Sequence, residues 1–195
     1  MDRAYSQIGG ILEEAACIVR RCKETTGDAE QAESYKREQV KRLKEYADSN
    51  GLWINIQRLS TVYLDKGGEN EVYYDGASTI YKLNNFEYAG EDLVNFFTRI
   101  NAHNLFFGNV SYDMVGFSYN SQNEFCAVLI QPYIQAKRET TEDEIALYME
   151  LLGFTMDSID EYYNDKYEVF DVVPNNVLYG VDDDLYFIDT QIRLK

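Results

Sequence analysis

Asp171-Val172-Val173-Pro174-Asn175-Asn176-Val177-Leu178, followed thirteen residues after Asn176 by the end of Phe187-Ile188-Asp189, is the stretch on which the whole chain turns. An acid, an amide five residues later and a second acid closing the next apolar run can converge on one magnesium nucleotide. The first carboxylate can take or orient the proton of an attacking hydroxyl, while a neutral and a charged oxygen share the cation. Each residue also has a plainer role. Asp171 suits a turn ahead of Pro174, and Asn176 and Asp189 suit the polar ends of a hairpin. Together the three favour phosphoryl-transfer chemistry.

Composition narrows what surrounds that stretch. A chain of 195 residues with 45% apolar content, 17 tyrosines and 10 phenylalanines can bury a sizeable core. Acids or amides interrupt every apolar run before membrane length, and Met1-Asp2-Arg3 does not open a secretory signal. Asn109-Val110-Ser111 fits a glycosylation acceptor by chance. Three cysteines, Cys17, Cys22 and Cys126, are too few for a disulfide framework and place the chain in a reducing cytoplasm. One histidine, His103, excludes histidine-rich metal sites and most catalytic triads, and it suits a helix end whose carbonyls it caps. The net charge of −16 falls almost entirely after residue 50. Such a surface repels nucleic acid and anionic lipid, and it makes a nucleotide an awkward ligand unless a cation such as magnesium offsets the field.

Along the chain, residues 11–24 and 28–48 predict two helices, with Thr26-Gly27-Asp28 as stop and N-cap between them. Tyr35, Val40, Leu43 and Ala47 give the second a thin apolar stripe. Asn50-Gly51 ends this segment, and the composition turns aromatic and β-prone. Strands are expected over 60–64, 71–74 and 78–83, the last two joined at Asp75-Gly76. A helix follows over 90–102, then an antiparallel pair over 112–119 and 125–130. Thr141-Glu142-Asp143-Glu144 is a capping box opening a helix to Gly153, with Ile145, Tyr148, Met149 and Leu152 inward. The tail reads as strand (176–179), a turn carrying Asp182-Asp183-Asp184, and strand (185–189). That acidic run lacks the alternation of a calcium loop and reads as a solvated turn.

Residues 59–195 resemble the protein-kinase-like fold, and more closely the short kinase domains of bacterial and phage polyvalent proteins. The similar phrases are Gly67-Gly68-Glu69-Asn70, His103-Asn104-Leu105-Phe106, Gln131-Pro132-Tyr133 and Phe187-Ile188-Asp189, with the Asp171 to Leu178 segment the most specific. The resemblance implies an α+β fold, a bilobal domain behind a helical N-terminal segment of residues 1–50. The N-lobe, about 51–132, would be an antiparallel sheet with one helix, and the C-lobe, about 133–195, a reduced one. It implies ATP and Mg as cofactors, with Asp171 facing the acceptor hydroxyl and Asn176 and Asp189 on the metal. Lys82 would meet the α/β-phosphates, Gly67 and Gly68 would bring backbone N–H groups to phosphate, and Gln131 and Tyr133 would flank a hinge for adenine. Glu87, Glu91 or Asp92 would pair with Lys82. Plainer roles stay open for three of these features. Lys82 could face solvent on the alternate side of its strand. The glycines could form an ordinary turn, and the hinge could be a strand ending at Pro132.

Three departures qualify the activity. Val169-Phe170 stand where kinases carry His-Arg, Val173 where many carry a lysine, and Thr190-Gln191 where Phe-Gly is usual. The residues after Asp189 are also too few for an activation loop or peptide-docking helices. The expected function is therefore ATP- and Mg-dependent phosphotransfer to a protein or small-molecule hydroxyl. The alternative is a catalytically silent kinase-like module that binds nucleotide or recruits a partner.

Overall fold

Two long helices open the chain, and their register explains why they stay. The computed structural model describes residues 2–25 and 32–195, with helix α1 over Asp2–Thr25 and α2 over Ala32–Asn50. The expected break at Thr26-Gly27-Asp28 lies outside the described residues. Leu12, Ala15, Ala16, Val19 and Cys22 of α1 recur at helical spacing and are buried, as are Gln39, Leu43 and Ala47 of α2. Gln39 is a polar residue in an apolar stripe because its amide has three partners. Its Nε2 donates to Asp92 Oδ1 (2.8 Å) and Val19 O (3.4 Å), and its Oε1 accepts from Leu93 N (2.9 Å). Gly51 then ends α2 at φ 64°, where Leu52 N bonds back to Ala47 O.

The chain forms two compact units, Met1–Phe97 with Asp113–Gln131, and Thr98–Tyr112 with Pro132–Lys195. The first is built on a five-stranded sheet of β1 (Val62–Lys66), β2 (Asn70–Tyr74), β3 (Thr79–Asn84), β4 (Asp113–Tyr119) and β5 (Phe125–Pro132), in the order β1-β2-β3-β5-β4. The hairpins β1/β2, β2/β3 and β4/β5 are antiparallel. Asp75 makes the β2/β3 turn by accepting N–H bonds from Ala77, Ser78 and Thr79, with Gly76 left-handed at φ 79°. Residues 52–54 run parallel to β4 through Ile54 N to Phe117 O (2.8 Å) and Phe117 N to Leu52 O (2.9 Å). On one face of the sheet Leu83, Cys126 and Val128 pack with Ile56. On the other, Phe125 meets Phe117 and Phe86, and Phe86 meets Phe96.

Helix α3 runs over Val94–Phe106 and begins later than its pattern suggests. A 3-10 turn over Glu87–Ala89 and a left-handed Gly90 (φ 65°) occupy the preceding residues, and Asp92 Oδ1 accepts from Val94 N as the cap. Glu91 therefore stands outside the helix rather than in its first turn, and α3 carries no acid at all.

The second unit holds β6 (Ala136–Glu139), α4 (Glu142–Leu151), β7 (Thr155–Ser158), β8 (Glu161–Tyr163), β9 (Tyr167–Phe170), β10 (Val177–Gly180), β11 (Leu185–Phe187) and β12 (Gln191–Leu194). They form two sheets, β11-β10-β6 and β12-β9-β8-β7. The expected capping box at Thr141 and Glu144 is present, and Ile145 and Met149 are buried. They share a core with Phe107, Phe154, Val169, Val172, Val177 and Phe187. Phe107 and Phe187 stack at 4.3 Å, a contact worth about 1 kcal/mol beyond its buried area.

Candidate active site

The stretch from Asp171 to Asn176 is a loop closed by its own polar groups. Val172 and Val177 are buried in the second unit's core and pin both ends. Val172 N bonds to Asp160 O (3.1 Å), and Asn176 N bonds to Val173 O (2.8 Å) to make the turn between them. Asp171 is exposed and left-handed, at φ 57°, a region that Asp tolerates better than most residues. Non-glycine residues held there often sit at functional sites.

Asn176 is bonded to the backbone of Asp171 and of Ile188. Its Nδ2 donates to Asp171 O (2.9 Å), and its own carbonyl accepts from Ile188 N (2.9 Å), one residue before Asp189. Since a carbonyl only accepts, that first bond fixes which amide atom is nitrogen and leaves Oδ1 as the acceptor end. An oriented neutral oxygen and a half-buried carboxylate suit a magnesium ion that keeps water and phosphate oxygens as its other ligands. Among the described residues no group of three or more His, Cys, Asp or Glu gathers as a metal cluster, which an Asn–Asp pair does not require.

Side chains distant in sequence clamp the β10/β11 hairpin. Thr140 Oγ1 donates to Val177 O (2.7 Å), Asn109 Nδ2 to Leu185 O (3.0 Å), and Tyr112 Oη to Ile188 O (3.1 Å). His103 Nε2 lies 2.8 Å from Phe187 O. His103 is thus tied to a β-strand rather than capping its own helix as its position suggested. No local pattern announces these four residues, because their partners lie between 37 and 84 positions away.

The remaining expected residues belong to the first unit, apart from Tyr133. Lys82 is central in β3, opposite Val72, and only 5% exposed, so it does not face open solvent. It lies on the face opposite Leu83. An ammonium at such a position requires an anionic or strongly polar environment. Gly67 and Gly68 connect β1 to β2, with Gly67 N bonded to Asn70 O (2.9 Å). Neither is left-handed. The hydroxyl end of the exposed Tyr88 side chain lies where a Cβ on Gly68 would stand, and it is free to turn aside. The strands beside this turn are anchored by buried Glu71, which accepts from Ser121 N (3.1 Å) and Tyr73 Oη (3.1 Å) and pairs with Lys66 (3.5 Å). Burial pushes its carboxyl up, but the bonds from Ser121 and Tyr73 and the charge of Lys66 outweigh that and hold it below the usual range. Of the three acids considered for Lys82, Glu87 and Glu91 are exposed, and Asp92 is engaged with Gln39 and the α3 cap. Gln131 is buried and Tyr133 exposed, either side of the boundary between the units.

No disulfide joins Cys17, Cys22 and Cys126, and burial pushes the Cys126 thiol up to about 12. Asp182, Asp183 and Asp184 are exposed and partnered by Tyr186, Lys137 and Asn109. Among the described residues no helix is long and apolar enough to cross a membrane.

A family model described as the serine/threonine/tyrosine kinase found in polyvalent proteins covers residues 36–195. No curated protein and no solved structure matches the chain.

Proposed function

The chain belongs to the serine/threonine/tyrosine kinases found in polyvalent proteins, and we propose on that premise that it transfers the γ-phosphoryl group of ATP, with magnesium, to a hydroxyl acceptor. The observation that carries this is the hydrogen-bonded closure of Asp171, Asn176 and the strand end before Asp189. The two compact units are then the two lobes of the kinase arrangement, with Ile130 to Tyr133 as the hinge whose main chain holds adenine.

Asp171, exposed on a fixed backbone, accepts or orients the acceptor's proton as the oxygen attacks phosphorus. Asn176 Oδ1 and Asp189 hold the metal. Lys82 supplies a positive charge to the phosphates, and the backbone around Gly67 and Gly68 supplies N–H donors. When bound, magnesium neutralises charge on the phosphate oxygens as the bond to ADP breaks. With valine at position 173, the positive charge at the phosphates comes from Lys82 and the metal, which raises the premium on placing Asp189 well.

A silent nucleotide-binding module is the second reading. It is favoured by Val173, which leaves the transferred phosphate without the lysine that many kinases place there. One experiment separates the two. Mg-ATP raises the melting temperature of wild type and of Asp171→Asn alike, because Asp171 does not hold the nucleotide. Labelled phosphate reaches a Ser, Thr or Tyr substrate with wild type and falls by at least about a hundredfold in the variant, as loss of a general base does. Binding without transfer supports the silent module. No shift with Mg-ATP sinks both.

A further inference from the structure

The sole histidine has a partner in the fold that the sequence does not announce. His103 is 2% exposed in the last turn of α3, and its Nε2 meets the carbonyl of Phe187 at 2.8 Å. A carbonyl can only accept, so Nε2 carries the proton. The next carbonyl, that of Ile188, accepts from Tyr112 Oη at 3.1 Å. Tyr112 is in turn held to α3 by two bonds with Asn104, Nδ2 to Tyr112 O (2.8 Å) and Tyr112 N to Oδ1 (2.7 Å). The rings of His103 and Tyr112 lie 4.6 Å apart, and His103 also packs edge-on against Phe107, which stacks on Phe187.

We propose that His103 and Tyr112 are positioning residues that fix the peptides leading into Asp189, and so set where its carboxylate stands. The paired part of β11 ends at Phe187, and the Ile188 amide bonds to Asn176 O, one residue before β10 begins. Between Ile188 and Gln191, where the chain pairs with Phe170, the bonds to the carbonyls of Phe187 and Ile188 hold the peptides that lead into Asp189. Two rigid rings supply those bonds. In the sequence, Val169 takes the place where kinases carry a histidine before the catalytic acid, and that valine is buried in the apolar core. Support for the metal-binding acid thus enters from α3 instead. This inference rests on Asp189 acting as a metal ligand, as proposed above.

The test uses three variants of the full chain. His103→Leu keeps bulk and loses the donor, His103→Gln restores a nitrogen donor near the position of Nε2, and Tyr112→Phe removes only a hydroxyl. The first readout is hydrogen exchange at the Ile188 amide without nucleotide. His103→Leu and Tyr112→Phe speed it about fivefold, the factor one net hydrogen bond is worth, and His103→Gln returns it to within about twofold of wild type. The second is the magnesium concentration for half-maximal phosphoryl transfer, which rises about fivefold or more in the first two variants and recovers in His103→Gln. A merely structural role would speed exchange across the whole second unit and leave the magnesium requirement unchanged, and that result overturns the proposal. If wild type neither binds Mg-ATP nor transfers phosphate, the kinase assignment fails. Exchange at Ile188 still decides the positioning role in that case, because unchanged exchange in Tyr112→Phe overturns it.

Discussion

Replacing Asn176 by alanine removes two things at once, and the structure allows them to be separated. The first is the Nδ2 bond to Asp171 O (2.9 Å), at an exposed site. A net hydrogen bond is worth about 1 kcal/mol, and exposure places this one in the lower half of the range, about 0.5–1 kcal/mol. For a chain of this size that lowers the melting temperature by about 1–4 °C. If the whole of it were lost from the orientation of Asp171 in the transition state, transfer would slow by no more than about fivefold. The second loss is the Oδ1 ligand, and removing one preorganised group at developing charge costs about a hundredfold or more. Asn176→Asp separates the two, since a carboxylate can bind magnesium but cannot donate to Asp171 O. Steady-state transfer assays beside thermal melts should therefore show Asn176→Ala down about a hundredfold and Asn176→Asp down about fivefold, with comparable loss of stability. Alanine staying within fivefold of wild type refutes the metal role. Equal inactivity of the two variants refutes the separation drawn between Nδ2 and Oδ1.

Two further outcomes follow from the scaffold. Gly116 has φ 154°, and a Cβ there would run into Leu52 O, which accepts from Phe117 N, so Gly116→Ala should cost about 3 kcal/mol and lower the melting temperature by about 6–12 °C. Gly10→Ala in α1, with open space around it, should be neutral or slightly stabilising by the same melt. Acid should act most on the two carboxylates held furthest below their ordinary values. Bonds from Arg138 and the Thr141 N–H hold Glu144 at about 2, and the N–H groups of Thr79, Ala77 and Ser78 hold Asp75 at about 2. Both values lie below the ordinary 4.5 and 3.8. Their stabilisation is therefore complete above those ordinary values and is lost as pH falls toward the folded ones. Melting temperature measured from pH 7 to pH 2 should be flat at first and fall below about 4.5. Arg138→Gln should blunt that fall, and an unchanged acid limb counts against the role of the Arg138 pair.

Much of the fold was legible because its signals are local. Leu43 and Ala47 are four apart and share a buried helix face, and Gly51 is a residue that can end that helix left-handed. Asp75-Gly76 and the Thr141–Glu144 box carry their hydrogen bonds within four residues. The strands β7, β8, β9 and β12 and the short β6 were not legible. The β7 residues Thr155 to Ser158 are all exposed, as are those of β6, so no alternation marks them. The start of α3 departs from its pattern for a related reason. Leu93, Phe96, Phe97 and Ile100 are apolar at helical spacing, but the helix begins only where Asp92 can cap it, and Glu91 lies before that cap.

Taken alone, the order of residues settled the chemistry on offer: two acids and an amide at fixed intervals, a lysine within a β-prone run, and the residue types that open and close helices. These depend on side-chain identity and on contacts a few positions long, which the chain writes out directly. The three-dimensional fold decided what holds that chemistry in place. Asn176 turned its nitrogen toward Asp171. His103 reached across 84 positions to Phe187, the last residue of β11. Such contacts arise when a core forms and backbone carbonyls that have left their ladder find donors elsewhere, and spacing along the chain does not encode which donor is near.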